Sequence, residues 1–307
     1  MYYSIRHVSK FRYSAPIRES MMEVRMQPRN EGLQHLLSFA LQTNPRAAVT
    51  AHHDGEGNTV HHFDVPGSHN SLTITATALV SLVARPALPD RLEHASWEEL
   101  GRLTATDEYW DYLAPSRFAR PSPLLHDFAR EQRLSRGADP LSTVRAINAA
   151  IHDAFDYMAQ RTRADSPIDD ALRIRQGVCQ DFAHIMIALL RELTIPARYV
   201  SGYLAQRDSG QDRSAADATH AWVEALLPAL GWVGFDPTNS RVADDRHIRV
   251  AVGRDYDDVP PTHGVYKGLA DNDLAVAVQV TPSDGPPSTS DFTPTMGWVP
   301  LTGEGQQ

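Results

Sequence analysis

The sequence has one cysteine, Cys179, in 307 residues. A single thiol excludes an intrachain disulfide and any zinc site built from several thiolates. It suits a reducing compartment, where a free thiol survives. No stretch approaches the roughly 18 apolar residues of a membrane span. The opening Met1-Tyr2-Tyr3-Ser4-Ile5-Arg6 lacks the uninterrupted apolar run of a secretory signal. The expectation is a cytoplasmic protein that does not act on membranes. Positive charge is also short: 29 Lys and Arg against 38 Asp and Glu leave −9. That balance disfavours general nucleic-acid binding. What is present is the composition of a globular chain, 42% apolar and 22% charged. Its length suffices for one large domain or two ordinary ones.

Residues 1–85 alternate with the period of two expected of strands. Tyr3, Ile5, Phe11 and Tyr13 share one face of a first run, Met22, Val24 and Met26 of a second, and Leu37, Phe39 and Leu41 of a third. Val49 to Val65 reads as a hairpin around Asp54-Gly55-Glu56-Gly57-Asn58. Leu72, Ile74, Ala76, Ala78, Val80 and Leu82 mark a long last strand. Short strands separated by turns predict an N-terminal β-sandwich. His52, His53, His61 and His62 flank the hairpin turn, but adjacent strand residues point to opposite faces. They are expected to be solvent-exposed imidazoles, and no metal site is assigned.

Past Arg85-Pro86-Ala87-Leu88-Pro89 the period becomes helical. Residues 86–138 form a helical connection, with short helices at Trp97-Leu100-Leu103 and Leu124-Leu125-Phe128, and with Trp110 and Tyr112 as packing residues. Asp139 then caps a stronger helix with Pro140 at its first position and Leu141, Val144, Ile147, Ile151 and Phe155 on the buried stripe. Residues 158–176 read as a polar loop. The loop ends at Cys179, which opens a helix with Phe182, Ile185, Met186, Leu189, Leu190 and Leu193 on one face. A thiol in the first turn meets unpaired N–H groups and the positive end of the helix dipole, which favour the thiolate. By itself the stretch fits a buried structural cysteine equally well.

A cysteine nucleophile needs a base, and the base needs an orienting group. His220 starts one strand and Asp236 ends the next, with Pro228-Ala229-Leu230-Gly231 as the turn between them. A tight antiparallel turn brings those positions to the same end of the hairpin. Cys179, His220 and Asp236 form a triad if the helix N-terminus packs there. The Cys179 N–H and a second donor could hold an oxyanion, with Tyr157 and Gln180 as candidates for the second. His184 lies five residues after Cys179, about 500° round the helix, and reads as a packing residue. Glu224 reads as a solvated charge, and Trp222 and Trp232 as core residues across the hairpin. The polar loop Gln206 to Asp217 precedes His220 and is a conceivable gate.

Three segments resemble the bacterial branch of the transglutaminase-like superfamily: Gly177-Val178-Cys179-Gln180-Asp181-Phe182-Ala183-His184, His220-Ala221-Trp222-Val223-Glu224, and Gly231-Trp232-Val233-Gly234-Phe235-Asp236-Pro237-Thr238-Asn239. Each supplies one member of the triad in the family's order. The first 85 or so residues are similar to the β-rich region that accompanies this branch, and Asp244 to Tyr256 to its C-terminal signature. The resemblance implies an α+β, papain-like core in which a helix-borne cysteine packs on an antiparallel sheet. It implies thiolate attack on an amide of a protein or peptide substrate, a thioester acyl-enzyme and no cofactor. Gln180 stands where the animal crosslinking enzymes usually have Trp, and no EF-hand calcium pattern is present. Both departures favour a hydrolase, a protease or amidase. The alternatives are a transglutaminase, with an amine in place of water, and a low-turnover binding module. The expected domains are 1–85, the connection 86–138, a catalytic core 139–281 and a Pro/Ser/Thr-rich tail 282–307. The sequence sets no oligomeric state.

Overall fold

The computed structural model describes residues 1–93, 95–159, 166–206, 212–214, 218–283 and 285. The chain opens with β1 (Tyr2–Val24), β2 (Gln34–Asn44), β3 (Val49–His53), β4 (Thr59–Val65) and β5 (His69–Leu82). Helices α1 (Ser96–Leu103), α2 (Pro123–Glu131) and α3 (Pro140–Ala154) follow. Next come β6 (Asp156–Tyr157), α4 (Ile168–Ile174), β7 (Gln176–Gly177) and α5 (Cys179–Glu192). Strands β8 (Ala197–Leu204), β9 (His220–Leu227), β10 (Gly231–Asp236), β11 (Arg241–Val242) and β12 (His247–Gly253) make the second sheet. Strands β13 (Thr262–Lys267) and β14 (Asn272–Ser283) are the last among the described residues.

The long strand β1 serves two four-stranded leaves. Its first half pairs with β5 and β14, and its second half with β4 and β13. The corner falls where the register shifts between Arg12 and Ile17 and again at Glu19, which has a φ of +49°. Such bulges bend a strand and let it change leaves. Phe11, Met22, Phe63, Leu72 and Ile74 pack between the leaves. The same face of β5 continues as Ala78, Val80 and Leu82 into the core shared with the helices. The predicted alternation of β5 thus serves two cores in succession.

Strand pairing redraws the domain boundaries. β13 and β14 pair with β1, so the chain returns to its first domain at Thr262. The 139–281 core expected from sequence therefore gives up its last strands, and residues 1–85 alone do not complete the N-terminal unit. Alternation shows that Leu274 to Val280 is a strand; it cannot show that the partner lies at the other end of the chain. The tail beyond 285 lies outside the described residues.

The second sheet is antiparallel in the order β11-β10-β9-β8-β12. Helix α5 packs on β8 and β9 and is also met by α2, α3 and α4. Every residue from Asp181 to Arg191 is buried. The one-sided stripe expected from sequence is therefore corrected: α5 is a central helix, covered all round. Arg191 is tolerated there because its guanidinium donates to the carbonyls of Tyr112, Ala114, Ala197 and Arg254. Asp139 caps α3 as expected, accepting from Ser142 N–H at 3.0 Å. Within the predicted loop 158–176, α4 buries Ile168, Ala171 and Leu172; seven residues are too few to show a period. Trp110 is 65% exposed and not a packing residue, whereas Tyr112 is buried against Trp232.

The N-terminal domain closes the outer edge of β12 with side-chain amides. Gln34 accepts from Arg249 N–H and donates to Arg249 C=O, both at 2.8 Å. Asn58 does the same for Val252, again at 2.8 Å. An amide side chain carries one donor and one acceptor side by side, as the next strand would. Glu224 is 3% exposed and bonds Arg198 at 2.7 Å and Arg249 at 3.2 Å. It is a buried charge tying three strands together, not the solvated one expected from sequence.

Candidate active site

The site is built where α5 begins and where β9 starts and β10 ends. Val178, extended at φ −115° and ψ 176°, precedes the helix and has no side-chain acceptor for its N–H groups. Asp181, in the first turn, compensates by accepting from Val178 N–H at 2.8 Å. This explains Gly177: a Cβ there would lie 2.7 Å from Asp181 Oδ2. The approach to the helix is fixed by the parallel β6–β7 pair and by Met158 N–H on Gly177 C=O at 2.9 Å. Cys179 follows as the first helical residue, a half-buried free thiol.

His220 is the first residue of β9 and is 3% exposed. Its Nε2–H donates to Asp236 Oδ2 at 2.8 Å. Its buried Nδ1 makes no such bond, and with Nε2 committed it is the nitrogen open to the thiol. Burial opposes a charged imidazole, but Asp236, and then the Cys179 thiol, outweigh it and raise the His220 pKa to about 10. Asp236 is fully buried and accepts five hydrogen bonds. Oδ1 takes Thr238 N–H at 3.0 Å and Asn239 N–H at 3.2 Å, closing the turn after β10. Oδ2 takes His220 at 2.8 Å, Asn239 Nδ2 at 2.7 Å and His247 Nε2 at 3.2 Å. Burial alone would raise a carboxyl pKa; the two imidazoles instead hold it well below the usual range.

The three residues proposed from sequence, Cys179, His220 and Asp236, thus come together at one point. The other candidates lie around it. Gln180 is half-buried at the second position of α5. Tyr157 is half-buried, its backbone paired beside Gly177 and its ring 6.5 Å from Phe182. His184 is turned away, stacked 5.3 Å from Phe118, with Nε2 accepting Tyr256 N–H at 3.2 Å. Trp222 lies beneath the imidazoles, 6.0 Å from His220 and 5.2 Å from His247. Gly202 makes room for it, since a Cβ there would come 2.5 Å from the indole and 2.2 Å from Ile248 C=O. Trp232 pairs with Leu226, not Trp222, and is only half-buried under Arg198. In the loop before His220, Arg213 N–H bonds Asn239 Oδ1 at 2.8 Å and Asp212 pairs with Arg241 and Arg246. That part is anchored; 207–211 and 215–217 lie outside the described residues.

Sequence reasoning missed three neighbours. Asn239 had a local signal, three residues past Asp236 in an Asx-type turn. His247 lay inside the Asp244 to Tyr256 stretch that resembles the family's C-terminal signature, but nothing local linked it to Asp236. Tyr199 was hidden in a strand; burial, then Cys179, push its phenol far above the usual range, so it stands beside the thiol as a neutral hydroxyl. His220, Asp236 and His247 offer ligand atoms within 4.8 Å of one another, a set that could hold a metal. Both imidazoles are instead engaged as donors to one carboxylate oxygen and have raised pKa values, which opposes coordination. The hairpin histidines do not face one another: His52 pairs with Val60, His53 with Thr59, His61 with Ala51 and His62 with Thr50; His61, expected to be exposed, is instead buried against the Phe39 ring.

A thiol at a helix N-terminus, beside an imidazole held by a buried carboxylate, is the arrangement of cysteine-based amide hydrolases and transferases. Residues 128–237 match the transglutaminase-like superfamily and residues 3–81 the bacterial transglutaminase-like N-terminal region, and the chain belongs to this superfamily. An uncharacterized protein of Mycobacterium leprae is 33% identical over 90% of this chain and 96% of its own length. A protein-glutamine gamma-glutamyltransferase of Pseudomonas aeruginosa is 30% identical over 56% of this chain and 27% of its own length. A candidate cysteine protease from Cytophaga hutchinsonii shares the fold, with a TM-score of 0.71 at 22% identity over 94% of this chain and 93% of that one.

Proposed function

We propose that the protein is a cysteine-nucleophile amide hydrolase, a protease or amidase, acting on a protein or peptide substrate. The observation that carries this reading is the His220 ring, bonded to buried Asp236 at 2.8 Å and raised in pKa by both Asp236 and the Cys179 thiol. In the proposed cycle Cys179 and His220 rest as a thiolate–imidazolium pair, and the thiolate adds to the amide carbon. The oxyanion is met by the Cys179 N–H at the helix terminus and by Gln180 or Tyr157. His220 then returns the proton to the departing amine, leaving a thioester on Cys179. It next removes a proton from water, which attacks the thioester and frees the acid. Asp236 keeps the imidazolium oriented throughout.

A second reading is supported by the Pseudomonas relative, whose name is that of a transglutaminase: an amine in place of water would resolve the same thioester. Incubation with a glutamine-containing peptide, with and without a primary amine, separates the two. Hydrolysis adds one acid to the peptide and releases ammonia; transamidation gives the amine adduct by mass. Trapping no acyl-enzyme under either condition would favour a binding module. The more basic test is alkylation of Cys179 by iodoacetamide against pH, in the wild type and in His220→Ala. Fast reaction well below the usual thiol pKa of about 8.5, lost in the variant, is expected. An inert or ordinary thiol in both would sink the proposal. The free thiol also suits the cytoplasm, which cell fractionation would test.

A further inference from the structure

Asp236 is shared by two imidazoles, and the chemistry above uses only His220. His247, the first residue of β12, has a side chain 1% exposed, and its Nε2–H donates to Asp236 Oδ2 at 3.2 Å. The other ring nitrogen faces two groups of one residue. Nδ1 lies 3.1 Å from Asp244 N–H and 3.0 Å from Asp244 Oδ1. These bonds belong to different protonation states. A neutral ring protonated on Nε2 accepts from Asp244 N–H; a charged ring donates through Nδ1 to the carboxylate. In both, Nε2–H stays on Asp236. Asp244 is steadied in turn by Arg246, whose N–H and Nε lie 3.0 and 3.1 Å away, and Arg246 is paired with Asp212. The charged and titratable groups about the ring are thus Asp236 and His220 in front and Asp244, Arg246 and Asp212 behind. Trp222 packs edge-on at 5.2 Å, and Gln34 and Asn58 hold β12 from its other edge.

We propose that His247 is a positioning residue: it fixes Asp236 Oδ2 in line with His220 Nε2, and Asp244 keeps that contact whether or not His247 is charged. The proposal rests on the Cys179–His220–Asp236 reading. Without His247, Asp236 keeps its turn contacts but loses one of the three donors on the oxygen that faces His220. The imidazolium is then held less firmly, and the thiol proton is taken less readily.

The test compares iodoacetamide alkylation of Cys179 against pH in the wild type, His247→Gln, His247→Phe and His247→Asn. Gln can place a donor near the imidazole Nε2; Phe has none, and Asn is too short to reach. The acid limb of the profile is expected to stay in place for Gln and to move toward the ordinary thiol value of about 8.5 for Phe and Asn, with a roughly tenfold or greater fall in rate at neutral pH. Wild-type profiles for Phe and Asn would overturn the proposal. A wild-type enzyme no more reactive than His220→Ala would instead overturn the triad on which it rests. If Phe and Asn do not fold, the imidazole NMR signals of the intact protein decide. The proposal requires a proton on His247 Nε2 both below and above the ring's own titration, which lies above the ordinary histidine pKa of about 6.5. A switch to the Nδ1-protonated neutral form would overturn it.

Discussion

His220 and His184 are both buried in the core around α5, and burial disfavours charge on each. One is raised to about 10 and the other lowered to about 4. The difference lies in the partner. His220 donates to a carboxylate with no solvent exposure, whereas His184 sits between the rings of Phe118 and Tyr199 and accepts from a backbone N–H. Asp255 tends to raise His184, but burial outweighs it and the Arg191 charge opposes it. His7 in the N-terminal domain, bonded to the Tyr203 and Ser9 hydroxyls, is likewise lowered to about 4. Burial alone discharges an imidazole; a directly bonded carboxylate reverses the sign. Of the three, only His220 is coupled to the thiol.

The contrast is broken most completely by removing the carboxylate charge. Asp236→Asn is expected to reduce acyl-enzyme formation by roughly 10³- to 10⁴-fold while the far-UV CD spectrum is unchanged. Near-wild-type turnover would show that Asp236 does not orient His220. A smaller loss is expected of Gly177→Ala, which pushes Asp181 off the Val178 N–H and loosens the turn that carries the thiol. Urea titration should show a loss of about 1 kcal/mol, and alkylation of Cys179 should slow. An unchanged denaturation midpoint would remove that role from Asp181.

Stability against pH sharpens the contrast, because the two rings act in opposite directions. His220 is raised, so its contribution is fully present below about 6.5 and fades as pH rises toward 10. His184 is lowered, so its contribution is present above about 6.5 and is lost as pH falls through 4. Melting curves of His220→Gln and His184→Phe should therefore approach or leave the wild type at opposite ends of the scale. Parallel curves would mean that the two rings share one charge state. The smallest effect is expected of His184→Gln on Cys179 alkylation at neutral pH, which should leave the rate essentially unchanged. A collapse of that rate would bring His184 into the site.

What could be read in advance follows the distance between the residues that decide it. The Asp139 cap, the alternation of β5 and the juxtaposition of His220 with Asp236 are each set within about 20 residues of chain, by a turn or a period. The apolar period gave the helix that carries Cys179, and the resemblance added its packing against them. The burial of Glu224 depends on Arg198 and Arg249, which no local pattern links to it. β12 is three places from β10 in the sheet order, so spacing from the hairpin could not point to the contact of His247 with Asp236. β13 and β14 looked like any other strands, and their partner was the start of the chain.

That last pairing bears on how the molecule is made. Both halves of β1 rest against strands from the far end of the chain. During synthesis the first domain emerges whole in sequence up to residue 85 and still lacks a neighbour on one side of each leaf. It cannot be completed until Ser283 has left the ribosome, after the entire thiol-bearing domain. The residues of the proposed triad are thus enclosed in a topological loop whose two ends are laced together, and β14 is the strand that locks the first.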